Sequence, residues 1–229
     1  MPAKAPFDRK LFRFLKELEA SNDRKWFDQN KPRYIEQVRT PILAFISDFG
    51  PRLRKISEHI TADPRPSGGS MFRIYRDTRF SKDKSPYKTY ASAQFRHEAY
   101  KDAYAPCFYL HLQPGGSFAG AGLWHPDADS TRMIRQSIVD HSAEWKRITN
   151  ARAWRALCEL QGDSLRRPPR GFDAGHECIE DLKRKDFIAV TPFKDAAVCS
   201  ADFMTTFVKF CRANNKWMQF LTRAVGVPW

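Results

Sequence analysis

The sequence predicts an α+β fold: a mainly antiparallel sheet of about five strands, with helices packed on one face, in a single domain spanning residues 1–229. Three observations carry this expectation. Apolar residues recur at helical spacing through residues 1–60. The period drops to two over the strand block 71–124. Helical spacing then returns over residues 127–229, interrupted by one strand near 186–192.

The elements follow in order. Phe7, Leu11, Phe14, Leu15 and Leu18 mark a first helix, with Ser21 and Asn22 ending it or capping the next, and Trp26-Phe27 anchoring a short turn. Tyr34, Val38, Ile42, Phe45, Phe49, Leu53 and Ile60 describe one long amphipathic helix or two joined ones. Pro41 and Gly50-Pro51 are the candidate kinks. Asp63–Gly69 is rich in proline and glycine and reads as a loop.

Residues 71–77, 91–97, 105–113 and 117–124 alternate as strands, and Gly115-Gly116 supplies a tight turn between the last two. Asp127 or Asp129 can cap a helix through Ile134 and Ile138. Helices fit 142–149 and 151–161, a turn-rich stretch fits 166–173, and a short helix fits 177–184. Phe187–Thr191 suits a fifth strand. Phe203, Phe207, Phe210, Asn214, Trp217 and Leu221 form the stripe of a C-terminal helix.

Composition narrows the function classes. The chain carries +13 formal charges, which attract polyanions at long range and are screened by salt. Its five cysteines are an odd number with no CxxC pair, so reduced thiols are expected rather than a disulfide framework. No apolar run approaches spanning length and no hydrophobic leader is visible, so a cytoplasmic protein without membrane partners is expected.

The densest chemistry lies in residues 71–89. Arg73, Arg76, Arg79, Lys82, Lys84 and Lys88 face only two acids, Asp77 and Asp83, with Phe72, Tyr75, Phe80 and Tyr87 threaded between them. Guanidinium groups grip phosphate or carboxylate oxygens through paired N–H donors, and lysines add point charge. Two acids cannot neutralise six bases, although ion pairs within the segment would pin it as a structural loop.

Alternation sorts the strand side chains onto two faces. Phe72, Ile74, Phe108, Leu110 and Leu112 are expected on the helix-covered face. Arg73, Tyr75, Gln94, Arg96, Tyr109, His111 and Gln113 are expected on the other. His111 is the natural proton-transfer candidate, because an unperturbed imidazole titrates near neutrality. The glycines of 68–70, 115–117 and 120–122 complete no nucleophile elbow, dinucleotide fingerprint or phosphate loop. Neither HExxH nor zinc-spaced cysteines occur, so no metal and no cofactor is expected.

The segment Arg73–Thr89 resembles the signature of the domain of unknown function 2461 family of conserved hypothetical proteins. Trp26-Phe27, Phe108–Pro114, Gly120–Pro126, Ile134-Arg135 and Pro169–Asp173 are similar to that family as well, so the resemblance covers nearly the whole chain. It implies a single-domain protein and brings no activity or site residues with it.

Three functions are open on this basis. The first is a small-anion site, in an enzyme or a binding protein, that takes a phosphorylated or carboxylated ligand on Arg73, Arg76, Arg79, Lys84, Tyr87 and Lys88. The second is a nucleic-acid-binding module, suggested by the net charge and interleaved aromatics. The third is a structural ion-pair loop beside a protein-interaction surface.

Overall fold

A computed structural model describes residues 5–99 and 104–229. The N-terminal helices are α1 (Arg9–Ala20) and α2 (Arg24–Tyr34), followed without a break by a π-helical turn (Ile35–Arg39) and α3 (Thr40–Leu53). Asp23 rather than Ser21 or Asn22 caps α2, its carboxylate accepting from the Trp26 N–H at 2.9 Å. Trp26 and Phe27 therefore lie in the first turn of a helix. Pro41 sits just past the π turn: proline has no N–H and crowds the preceding turn, and the wider turn absorbs both effects without ending the helix.

The sheet strands are β1 (Ile60–Thr61), β2 (Ala91–His97), β3 (Cys107–Leu112), β4 (Ser117–Leu123), β5 (Glu159–Gln161) and β6 (Phe187–Phe193). Their order is β1-β2-β3-β4-β6-β5, every neighbour antiparallel. Between and after the strands lie α4 (Ala128–Asp140, capped by Asp127), α5 (Ser142–Thr149), α6 (Arg152–Arg155), α7 (Ile179–Leu182), α8 (Asp195–Val198), α9 (Phe203–Ala213) and α10 (Asn215–Ala224). The α+β class, the antiparallel sheet and the helices on one face are as the sequence predicts.

Four local expectations are corrected. Residues 71–77 are not a strand: Met71 bridges to Ala93 and Tyr75 to Tyr87, so the segment changes partner between them and cannot run straight. The helix expected over 151–161 stops at Arg155, and Glu159–Gln161 adds an edge strand to β6. The helix expected to run on to Ile60 ends at Leu53, and Ile60 begins β1. The C-terminal stripe is two helices meeting at Asn214. This buried amide accepts from the Trp154 indole at 3.0 Å and donates to the Phe210 carbonyl at 3.0 Å.

Alternation explains how the sheet buries one face. Phe95 meets Phe49 of α3 and Phe207 of α9, with ring centroids at 4.7 and 5.8 Å, and Phe108 meets Phe210 at 6.5 Å. Each fully buried ring of this kind contributes about 2–3 kcal/mol relative to exposure. On β4 the helix-side residues are Ala119 and Ala121, small enough for α10 to approach closely, and the Trp217 indole donates to the Ala121 carbonyl at 3.0 Å. Among the described residues, no helix is long and apolar enough to cross a membrane, and the five cysteines are free.

Candidate functional site

The sheet face turned away from these helices holds a cleft of about 480 Å³. Register places its floor. One row across the sheet runs Gln94, Tyr109, Gly120, Val190, and the next runs Cys107, Gly122, Ile188, Gln161. A Cβ on Gly120 would come 3.2 Å from Ile188 Cδ1, so glycine keeps the floor open between Tyr109 and Ile188. Gly122 is required by the backbone itself: its φ is +130°, and a Cβ would fall 2.0 Å from the Phe187 carbonyl oxygen.

His111 stands in one wall, 8% exposed. The Tyr109 hydroxyl donates to Nδ1 across 3.1 Å, and Nε2–H donates to Gln113 Oε1 across 3.0 Å. Its ring lies on Phe118, centroids 4.7 Å apart and 16° from parallel, with Tyr90 at 4.3 Å on another side. Burial lowers the imidazole pKa and outweighs the Gln113 bond, and burial likewise pushes Tyr109 up to about 12. With both nitrogens occupied, His111 is a neutral wall group, built to orient rather than to exchange protons freely.

The segment 70–90 folds against one end of this face. The Phe72 N–H donates to the Ser92 carbonyl at 2.9 Å, and the Gln94 N–H donates to the Ser70 carbonyl at 2.8 Å. The chain then bends and pairs with itself, Arg76 N–H to Pro86 and Lys88 N–H to Ile74. The bend breaks alternation. Ile74 enters the core, but Phe72 lies against Tyr109 in the cleft, with centroids 6.3 Å apart, and not on the helix-covered face expected for it.

The basic residues of the segment meet different fates. Arg79 forms a paired contact with Asp77 (Nη2 to Oδ2 2.7 Å), which holds the Asp77 carboxyl down to about 2. Arg76 bonds Asp83, whose carboxyl is pushed well below the usual range, first by the Ser85 hydroxyl and then by Arg76. Lys84 donates to the Thr78 carbonyl at 2.9 Å. Tyr87 is buried, its ring stacked on Phe27 at 4.0 Å. Arg76, Tyr87 and Lys88 border a second depression of about 540 Å³, together with the acids Glu19, Asp77 and Asp83.

Lys88 differs from the rest. It is half-buried at the end of the sheet-face cleft, with Nζ 5.2 Å from the Phe72 centroid and 5.8 Å from that of Tyr90. No carboxylate pairs with it among the described residues. Burial lowers its pKa, and repulsion from the Arg73 guanidinium lowers it further. Arg96 also stands over the Phe72 ring, at 5.7 Å, while donating from Nε to Gln94 Oε1 at 3.0 Å. Two cations, Lys88 and Arg96, thus share one aromatic corner, with Arg73 close enough to repel Lys88.

At the opposite end stands Trp124. Beside it, outside the cleft lining, lies a pair that sequence reasoning missed, His125 and Asp186. Asp186 is fully buried and accepts from the His125 N–H at 2.7 Å and the Asp163 N–H at 2.9 Å. No motif flags residues 61 apart; the only local signal was a tryptophan and histidine directly after the Gly120–Gly122 strand.

The family model described as "Conserved hypothetical protein (DUF2461)" matches residues 10–220. The chain belongs to this family. Searches of curated proteins and of solved structures each returned no match. The DUF2461 match spans every element that lines the cleft, from the basic segment through β6. Among the described residues, no cluster of three or more His, Cys, Asp or Glu has the spacing to hold a metal ion.

Proposed function

We propose that this DUF2461 chain binds a small phosphorylated or carboxylated molecule in the sheet-face cleft, with the anion on Lys88 and an apolar or aromatic body over Gly120 and Gly122. The observation that carries this reading is the half-buried Lys88 ammonium, which has no carboxylate partner among the described residues while the neighbouring Arg76 and Arg79 have theirs. A desolvated cation beside two further cations costs stability unless an anion joins it. The cleft walls are mostly aromatic and apolar with few polar groups, as small-molecule sites are.

Of the six residues named from sequence, Lys88 serves this role, and Arg73 adds positive charge near it. Arg76, Arg79 and Lys84 brace the loop, and Tyr87 anchors it. The ion-pair reading and the anion-site reading therefore apply to different residues of one motif.

A single-stranded nucleic acid is the second reading, favoured by Phe72, Tyr109 and Trp124 on an open antiparallel sheet face beside a +13 charge. The cleft volume of about 480 Å³ favours a compact ligand. Titration of 1-naphthyl phosphate by calorimetry tests the proposal: Lys88→Gln should weaken binding at least about tenfold, or ~1.4 kcal/mol. Equal affinity in the variant overturns it. Tight, salt-steep binding of a thymidine oligonucleotide, with none of the naphthyl ester, favours the second reading.

A further inference from the structure

We infer that His125, with its tautomer fixed by the buried carboxylate of Asp186, is a general base at the Trp124 end of the cleft, and that the chain hydrolyses an ester held there. This rests on the cleft reading only for where the substrate sits. Asp186 directly precedes β6 and His125 follows β4 by two residues, just beyond the paired residues Leu123 and Phe187. The carboxylate closes the frayed ends of both flanking strands, taking the His125 N–H on Oδ1 and the Asp163 N–H on Oδ2.

Those two backbone bonds complete the clamp. The imidazole is an addition to it: Nδ1 lies 3.1 Å from Asp186 Oδ1, while the side chain is 63% exposed. A hydrogen on Nδ1 shared with a buried carboxylate leaves Nε2 as the lone-pair nitrogen on an exposed ring. His111 offers neither property, since both of its nitrogens are bonded inside the wall.

Two further features favour a working group. His125 is the one described non-glycine residue with positive φ (49°), a conformation glycine would hold at less cost. Gly162, at φ +103°, is obligatory because a Cβ there would fall 2.3 Å from Asp186 Cβ. The ring also lies 4.6 Å from that of Trp124, which lines the cleft along with Lys88.

In the step itself, Nε2 accepts a proton from water as the water oxygen bonds to the acyl carbon. The ester C–O bond then breaks, the leaving oxygen departs with the electron pair, and the imidazolium returns its proton to that oxygen or to solvent. The products are one acid and one alcohol. Asp186 acts as the positioning residue.

The experiment compares hydrolysis of 4-nitrophenyl acetate and of mono-4-nitrophenyl succinate, which carries a carboxylate for Lys88, by wild type, His125→Gln, Asp186→Asn and Lys88→Gln. His125 is exposed, so His125→Gln should fold normally, as circular dichroism checks. The inference expects His125→Gln to lose at least tenfold on both esters. It also expects folded Asp186→Asn to lower kcat with KM unchanged. Equal rates in wild type and His125→Gln overturn it, because that is what a purely structural pair gives. A preference for the succinate that disappears in Lys88→Gln supports the cleft reading. A His125-dependent rate with no such preference removes the cleft reading and keeps the base.

Discussion

Asn22 holds Tyr87 by both of its backbone groups: the side-chain amide donates to the Tyr87 carbonyl at 3.0 Å, and the side-chain oxygen accepts the Tyr87 N–H at 3.1 Å. One asparagine after α1 thus takes the place of a strand neighbour for a residue 65 positions away. With the Tyr87 ring stacked on Phe27, it fixes the chain from which Lys88 projects. Asn22→Ala removes both bonds from a partly buried pair and should cost about 1–3 kcal/mol. Urea unfolding gives the cost, and faster amide exchange at Tyr87 than in β3 would locate the loosening; unchanged stability and exchange would show that water replaces the clamp.

Gly122 and Gly115 both have positive φ, but their surroundings differ. A Cβ at 122 meets the Phe187 carbonyl oxygen at 2.0 Å, whereas nothing lies within 4 Å of one at 115. Gly115→Ala should therefore cost about 1–2 kcal/mol, the left-handed penalty alone. Gly122→Ala adds a backbone collision at the centre of the sheet and should cost about 3 kcal/mol or more. Similar thermal midpoints for the two variants would contradict this account of the β4–β6 register.

Asp77 titrates at about 2 because of Arg79, against an ordinary value of 3.8. A depressed folded-state value means that the pair's contribution is complete above the ordinary value and fades as pH falls through about 2. Both partners are exposed, so salt screens the effect and little global stability rides on it. Carboxyl-carbon NMR in Arg79→Ala should show the Asp77 midpoint return toward 3.8. A midpoint that stays low would mean another cation holds the carboxylate.

His111 has a pKa lowered from 6.5 by burial, so it binds its proton less readily folded than unfolded. Between its folded value and 6.5 the unfolded chain takes up more protons, and stability should fall as pH drops through this window. Replacing His111 with Gln should flatten that part of the stability–pH curve. An imidazole carbon resonance titrating above 6.5 would refute the burial argument.

The sequence carried the faces of β3 and β4 because each keeps one partner on each side along its length, and period-two alternation then sorts Tyr109 and His111 from Phe108 and Leu110. It failed for Phe72 and Ile74, two positions apart yet on opposite sides, because residues 70–72 pair with β2 while residues 74–76 pair with 86–88. Strands of two or three residues, such as Ile60–Thr61 and Glu159–Gln161, are too short to show a period. The break at Asn214 was hidden because the helical stripe continues across it. In the site, the basic segment was visible as composition, but which cation stays without a carboxylate depends on the folding of the loop around Asp77 and Asp83. The pairing of His125 with Asp186 arises only when β4 and β6 align.

The most direct test of the central claim is a crystal structure with 1-naphthyl phosphate bound. The account predicts the phosphate within hydrogen-bonding reach of Lys88 Nζ and the naphthyl ring over Gly120, between Tyr109 and Ile188. A phosphate seated instead on Arg76, Arg79 or Lys84, with the sheet-face cleft empty, would contradict it.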